Sequence, residues 1–188
     1  MNKNLMTQTL HSFLLVTLLL SSGSIWAEQG CNSPARMAPD SRYQDNEDGT
    51  VSDLQTGYMW QKCSVGQSGA DCSEGSVSTF EWEESIQQAD ILNKSGGLAG
   101  HTDWRVADFK ELKSLVEVNC WSPSINTSLF PNTPTIDYWS SSSYIGFAKN
   151  AWYVSFTSGK FTYNHRNVFN AVRLVRGVRS YADEAEQQ

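Results

Sequence analysis

The amino-acid sequence predicts an α+β fold in which two helices flank a mostly antiparallel, irregular sheet. Strand and turn signals occur in residues 48–61, two helix signals follow in residues 78–116, and strand patterns return after residue 138. A sheet and helices grouped in separate parts of the chain are typical of the α+β class. The length of 188 residues suits one loop-rich domain with a single core.

Residues 1–27 have the order of a secretory signal peptide. Lys3 precedes an apolar run over residues 13–20, and a small-residue stretch leads to Ala27, after which cleavage is expected. The apolar run is shorter than the roughly 20 residues that a bilayer span needs. The sequence therefore predicts a periplasmic, secreted or cell-surface protein that is not an integral membrane protein.

The next elements are predicted from turn signals. Residues 28–42 carry two prolines and no periodicity, which predicts an N-terminal arm. Asp48 and Gly49 form a hairpin-turn pair, and we expect a strand over residues 50–53 to follow it. A second strand is predicted over residues 58–61, after a further glycine turn.

Two capping boxes predict the helices, because in each a capping side chain is followed three residues later by glutamate. The first box is Ser78 and Glu81, with a helix expected to end near Asn93, and the second is Asp108 and Glu111. Apolar residues recur after each box at helical spacing and are expected to face the core. They are Trp82, Ile86, Ala89 and Leu92 in the first helix and Phe109, Leu112, Leu115 and Val116 in the second.

The C-terminal half is predicted to supply most of the sheet. Four strands are expected there, over residues 138–142, 151–156, 160–163 and 170–176. The second and third form a hairpin, because a Ser-Gly turn separates them. The domain is expected to span residues 43–179, and the acidic residues 180–188 are expected to form a disordered tail.

Four cysteines remain after the predicted cleavage, and an even number in an exported chain indicates two disulfides. Cys63 and Cys72 are close in sequence across a Gly- and Ser-rich loop, which favours their pairing and leaves Cys31 with Cys120. A zinc site is disfavoured, since the chain has no Cys-x-x-Cys pair with spaced histidines.

The chain is acidic, with a formal charge of −6. This charge disfavours nucleic acid as a partner, because nonspecific binding neutralises phosphates. Four tryptophans are expected in the core, namely Trp60, Trp104, Trp139 and Trp152. Three arginines near the C-terminus are expected to pair with the protein's own carboxylates, namely Arg173, Arg176 and Arg179.

Several ordered motifs resemble the Lcl C-terminal domain family, a bacterial family named after a collagen-like adhesin. They are DGTVSD and TGYMWQ within residues 48–61, DWR at 103–105, YWSSS at 138–142 and AWYVSF at 151–156. The resemblance covers residues 43–179. It implies a fold similar to C-type lectins and formylglycine-generating enzymes, and a role in extracytoplasmic adhesion or carbohydrate binding. Val106-Ala107 departs from the family's usual Leu-Pro pair.

The sequence argues against catalysis and gives no firm cofactor. Formylglycine-generating relatives use a late cysteine pair, and no cysteine follows Cys120 here. No nucleophile–base set can be assembled from the sequence. The sequence predicts no cofactor, and calcium is the less favoured alternative. Residues 45–49 with Asp53 offer oxygen ligands, but they lack the regular carboxylate spacing of a calcium loop.

Candidate ligand contacts come from two C-terminal loops rich in aromatic and planar polar side chains. The residues are Tyr144, Lys149, Tyr163, His165 and Arg166, in loops that also supply Phe147, Asn150 and Asn164. The first hypothesis is an exported, non-enzymatic binding or adhesion domain that recognises a carbohydrate or glycan. The alternative is a structural or assembly subunit of the cell envelope that binds another envelope or surface protein.

Overall fold

The computed structural model describes residues 29–33 and 36–177. The predicted signal peptide at residues 1–27 and acidic tail at residues 180–188 lie outside the described residues, as does Arg179. The helices of the described part are α1 (Trp82–Lys94), α2 (Phe109–Lys113) and a short 3-10 helix (Asp40–Arg42). Its strands are β1 (Gly30–Cys31), β2 (Tyr43–Asp45), β3 (Thr50–Asp53), β4 (Met59–Gln61), β5 (Gln67–Ser68), β6 (Glu74–Gly75), β7 (Arg105–Val106), β8 (Cys120–Trp121), β9 (Asp137–Ser143), β10 (Asn150–Ser155), β11 (Phe161–His165) and β12 (Leu174–Arg176).

Two sheets and two short ladders make up the β structure of the described residues. The larger sheet has the order β2-β3-β4-β12-β7, and the smaller sheet has the order β11-β10-β9. Neighbouring strands in both sheets are antiparallel. The ladders pair β1 with β8 and β5 with β6. The predicted α+β class with two helices and a mostly antiparallel, irregular sheet is therefore confirmed.

Both predicted disulfides are present. Cys31 is bonded to Cys120 and Cys63 to Cys72. The first bridge ties the N-terminal arm to the domain, because β1 and β8 pair at the same point. The arm is also held by buried Glu117, whose carboxylate accepts hydrogen bonds from the backbone N–H groups of Met37 and Ala38 at 2.9 and 2.7 Å.

The first helix begins later than its predicted capping box. Glu81 is the N-cap and forms the box with Glu84, so the prediction of Ser78 as the cap was wrong. Ser78 is in an extended segment instead, and its backbone N–H donates to Val65 O at 2.9 Å. The second box is confirmed, since Asp108 accepts a hydrogen bond from Glu111 N and Glu111 bonds back.

The predicted last strand is shortened to β12 because residues 170–173 connect the two sheets. Ala171 bridges β9 in the smaller sheet through hydrogen bonds with Asp137 and Trp139. Three residues later the chain enters the larger sheet between β4 and β7. The chain over residues 170–176 therefore pairs first with the smaller sheet and then with the larger one. This change of partner interrupts an apolar run that the sequence alone predicts as one strand.

For three of the four tryptophans, the predicted core position is confirmed. Trp60, Trp104 and Trp139 are almost fully buried. Trp152 is only half-buried and lies among exposed rings, so its assignment to the core was wrong.

The arginines of the last strand also differ from one another. Arg176 pairs with Asp103, as predicted, at 2.7 Å. Arg173 is fully buried and binds no carboxylate among the described residues, so that prediction was wrong. Its guanidinium donates to Gln61 O at 2.9 Å, to Thr133 Oγ1 at 2.8 Å and to Lys62 O. Burial lowers the pKa of Arg173.

Candidate ligand-binding face

The hairpin of β10 and β11 builds one exposed face of the smaller sheet. Its register places Trp152 opposite Tyr163. Because side chains alternate along a strand, Phe161, Tyr163 and His165 share one side of β11. Gly159 lies in the connecting turn with φ of 69°, and a Cβ there would come within 2.9 Å of a Val116 methyl group. The turn therefore requires glycine for both its backbone angle and its packing.

Six aromatic side chains form a continuous surface that we call the aromatic face. They are Phe109, Tyr144, Phe147, Trp152, Phe161 and Tyr163. The rings of Tyr144 and Tyr163 stack with centroids 3.8 Å apart, and Trp152 meets both edge-on. Phe147 and Tyr163 are 61% and 36% exposed. The face is thus held by ring–ring contacts while part of its surface stays open to ligands.

Cationic side chains lie at both ends of the aromatic face. Lys113 Nζ sits 4.2 Å from the centre of the Phe161 ring. At the other end, Lys149 and His165 line an open groove of about 430 Å³ together with Phe147. Polar side chains therefore border the apolar aromatic face. In ligand-binding sites, a few polar groups placed in this way fix the orientation of the ligand.

Arg166 joins the aromatic face to the first helix. Its guanidinium lies 4.0 Å over the Trp82 ring, donates to Ser143 Oγ at 2.9 Å and reaches Glu83 at 3.3 Å. Its backbone N–H donates to Lys149 O at 2.8 Å. Several of its donors are thus used within the protein, and these contacts fix the loop that carries Lys149.

Tyr163 also affects the pKa of Tyr144. The pKa of Tyr144 is raised by desolvation first, and then by its interaction with the Tyr163 hydroxyl. This shift leaves the Tyr144 hydroxyl protonated at neutral pH, as in an ordinary tyrosine. It can therefore both donate and accept a hydrogen bond at the edge of the stacked rings.

The five residues predicted as ligand contacts are close together in the structure. Tyr144 and Tyr163 form the stacked pair. Lys149, His165 and Arg166 line a second groove of about 260 Å³ beside the first. Whether they bind a ligand stays a prediction.

Sequence reasoning missed three members of this face, namely Phe109, Trp152 and Phe161. One usable signal was the hairpin itself. Its two strands and short turn set a register in which Trp152 faces Tyr163. The contact of Phe109 with Trp152, at 4.6 Å, depends on where α2 packs and has no local signal.

The acidic residues considered for calcium are engaged in other contacts. Asp53 forms an ion pair with Arg42 at 2.5 Å, and Asp48 Oδ1 accepts a hydrogen bond from Thr50 Oγ1 at 2.6 Å. Within residues 29–33 and 36–177, no group of three or more His, Cys, Asp or Glu side chains could hold a metal ion. Calcium binding stays an untested prediction.

The helices in the described part of the chain all lack the combination of length and apolar character that crossing a bilayer would require.

Comparison with known proteins gives one family. A family model described as the Lcl C-terminal domain matches residues 49–176, which is more than half of the chain. A search of curated proteins finds no match. The matched range contains β3 to β12 together with the whole aromatic face.

Proposed function

Because this chain belongs to the Lcl C-terminal domain family, a surface- and adhesin-associated family, we propose that it is an exported, non-enzymatic binding domain that recognises carbohydrate on its aromatic face. Two disulfides support an extracytoplasmic location, since such bonds persist in oxidising compartments. The family is not known for enzymatic activity, which supports a binding role.

The observation that carries the proposal is the stacked Tyr144–Tyr163 pair beside exposed Phe147. Sugar rings present C–H groups on their faces and hydroxyls at their edges. A rigid aromatic surface covers the faces, while Lys149 and His165 at its border can bond to the hydroxyls. Because the rings already pack against one another, little side-chain freedom is lost on binding.

A glycan array with purified mature domain tests this proposal. We expect reproducible binding that falls at least about fivefold in Tyr163→Ala, because removing a central aromatic contact commonly costs more than about 1 kcal/mol. Lys149→Ala should weaken the same hits. Phe169→Ala is the matched control, because Phe169 is 61% exposed and lies outside the aromatic face.

Two outcomes would contradict carbohydrate recognition at this face. One is an array without reproducible hits. The other is a set of hits that Tyr163→Ala and Phe169→Ala leave equally unchanged, which would place the contact elsewhere.

The alternative, a subunit that binds an envelope protein, is favoured by the position of β11. This strand is at the edge of its sheet, and Phe161, Thr162 and Tyr163 are all exposed. Edge strands can pair with an extended segment of another chain. An empty array, together with one envelope protein that is captured by the wild type and lost with Phe161→Lys, would favour this alternative.

A further inference from the structure

We propose that a second cavity, separate from the aromatic face, binds a basic α-amino acid. The cavity has a volume of about 600 Å³ and lies between the turn at residues 45–49, the end of β4 and the disulfide loop 63–72. Its wall includes Asp45, Glu47, Gln61, Lys62, Ala70 and Leu98. This volume lies within the range of small-molecule sites, roughly 300–1,000 Å³. The cavity shares no lining residue with the grooves beside the aromatic face.

The cation of the cavity is a buried lysine with unused donors. Lys62 is 8% exposed, and its Nζ atom bonds to Asp45 Oδ2 at 2.6 Å. An ammonium group has three N–H donors. Among the described residues, Asp45 is the one hydrogen-bond partner found for Nζ. Two donors therefore remain for a carboxylate that enters the cavity.

Two carboxylates lie on the same wall. Asp45 accepts from Lys62 and from the backbone N–H of Glu47, and these bonds outweigh burial and lower the pKa of Asp45. The Glu47 side chain forms none of the hydrogen bonds or ion pairs found within the described residues. With Lys62, the wall carries two formal negative charges and one positive charge, so it attracts an ammonium group.

The remaining wall indicates what lies between the charged ends of the ligand. Leu98, Ala70 and the disulfide of Cys63 offer apolar contact to a short carbon chain. Gln61 Oε1 is buried without a hydrogen-bond partner, which leaves an acceptor suited to a ligand with several donors. A carboxylate for Lys62, two cationic groups for the acids and an aliphatic stem together describe lysine, with two ammonium groups, or arginine, with an ammonium and a guanidinium.

Calorimetry at low salt with four probes tests the site: L-lysine, L-arginine, L-glutamate and the diamine cadaverine. We expect lysine and arginine to bind saturably. Lysine should bind at least about tenfold more tightly than cadaverine, which lacks the carboxylate, and than glutamate, which has the wrong net charge. No saturable heat with lysine or arginine at millimolar concentration would overturn the proposal.

Three variants locate the binding. Glu47→Asn removes the free carboxylate and suits the left-handed φ of 59° at this position, so it should weaken lysine binding about tenfold. Ala70→Trp should fill the cavity and abolish binding while leaving the Lys62–Asp45 pair in place. Lys149→Met, at the aromatic face, should leave lysine binding unchanged.

The variants also separate this proposal from carbohydrate recognition. Lysine binding that survives Ala70→Trp, or that is lost in Lys149→Met, would refute the assignment to this cavity. Glycan binding should be the same in Ala70→Trp as in the wild type, because Ala70 takes no part in the aromatic face.

Discussion

Replacing Arg173 with methionine should strongly destabilise the domain. Arg173 is fully buried and donates hydrogen bonds to the backbone carbonyls of Gln61 and Lys62 and to the hydroxyls of Ser64 and Thr133. These acceptors lie at the end of β4, directly after it and on the loop before β9. The guanidinium therefore ties the larger sheet to the segment that leads into the smaller one.

The magnitude follows from the acceptors that lose their donor. Ser64 Oγ keeps its bond to the Tyr138 hydroxyl at 2.6 Å, and Thr133 Oγ1 keeps its bond to Phe130 O at 2.8 Å. The two carbonyls are the main loss. Leaving a buried polar group unsatisfied costs about 1–3 kcal/mol, so the free energy of unfolding should fall by about 2–6 kcal/mol. The free energy of unfolding of a typical domain is about 5–15 kcal/mol, so this loss is a large part of the total.

Urea unfolding followed by tryptophan fluorescence, with the disulfides intact, measures this loss. Arg176→Met is the control, because it makes the same change three residues along the chain at an exposed ion pair with Asp103. Such pairs contribute about 0–1 kcal/mol. A loss below about 1 kcal/mol in Arg173→Met, or equal losses in the two variants, would refute the reasoning.

Three further predictions concern the bridges, pH and calcium. Replacing the Cys31–Cys120 bridge with alanines should lower the free energy of unfolding by about 4.6 kcal/mol, and replacing the Cys63–Cys72 bridge should lower it by about 2.7 kcal/mol, because the first bridge closes the longer loop. Urea midpoints in the opposite order would contradict this. Burial raises the pKa of Glu111, but hydrogen bonds, above all from Arg105, outweigh it and lower the pKa below its ordinary value of 4.5. As the pH falls, the Glu111 carboxylate is therefore protonated in the unfolded state before it is protonated in the folded state. The free energy of unfolding should then fall as the pH drops below about 4.5. Urea titrations at several pH values should show a flatter fall in Glu111→Gln. Calorimetry after chelator treatment should give a flat calcium titration, because Asp45, Asp48 and Asp53 are already bonded within the protein; a saturable heat would refute this.

Local signals in the sequence were enough for the class and for several elements. The bounds of β3 agree with the prediction because the turn before it is set by adjacent residues. The capping box at Asp108 agrees because its two side chains are three residues apart. Both disulfides followed from spacing and elimination. Each of these features depends on residues that are near one another in the chain or on a small number of possible pairings.

The tertiary structure decided which of several similar residues are buried. Arg173 and Arg176 have the same side chain on the same segment, yet one binds carbonyls in the core and the other an exposed aspartate. Trp152 belongs to the aromatic face because Phe109 of α2 and Tyr144 cover its ring only in part. The sequence by itself determined the fold class, several of the elements and the covalent links. Burial depends on which distant elements cover a side chain, and that is set only when the two sheets and the helices pack together.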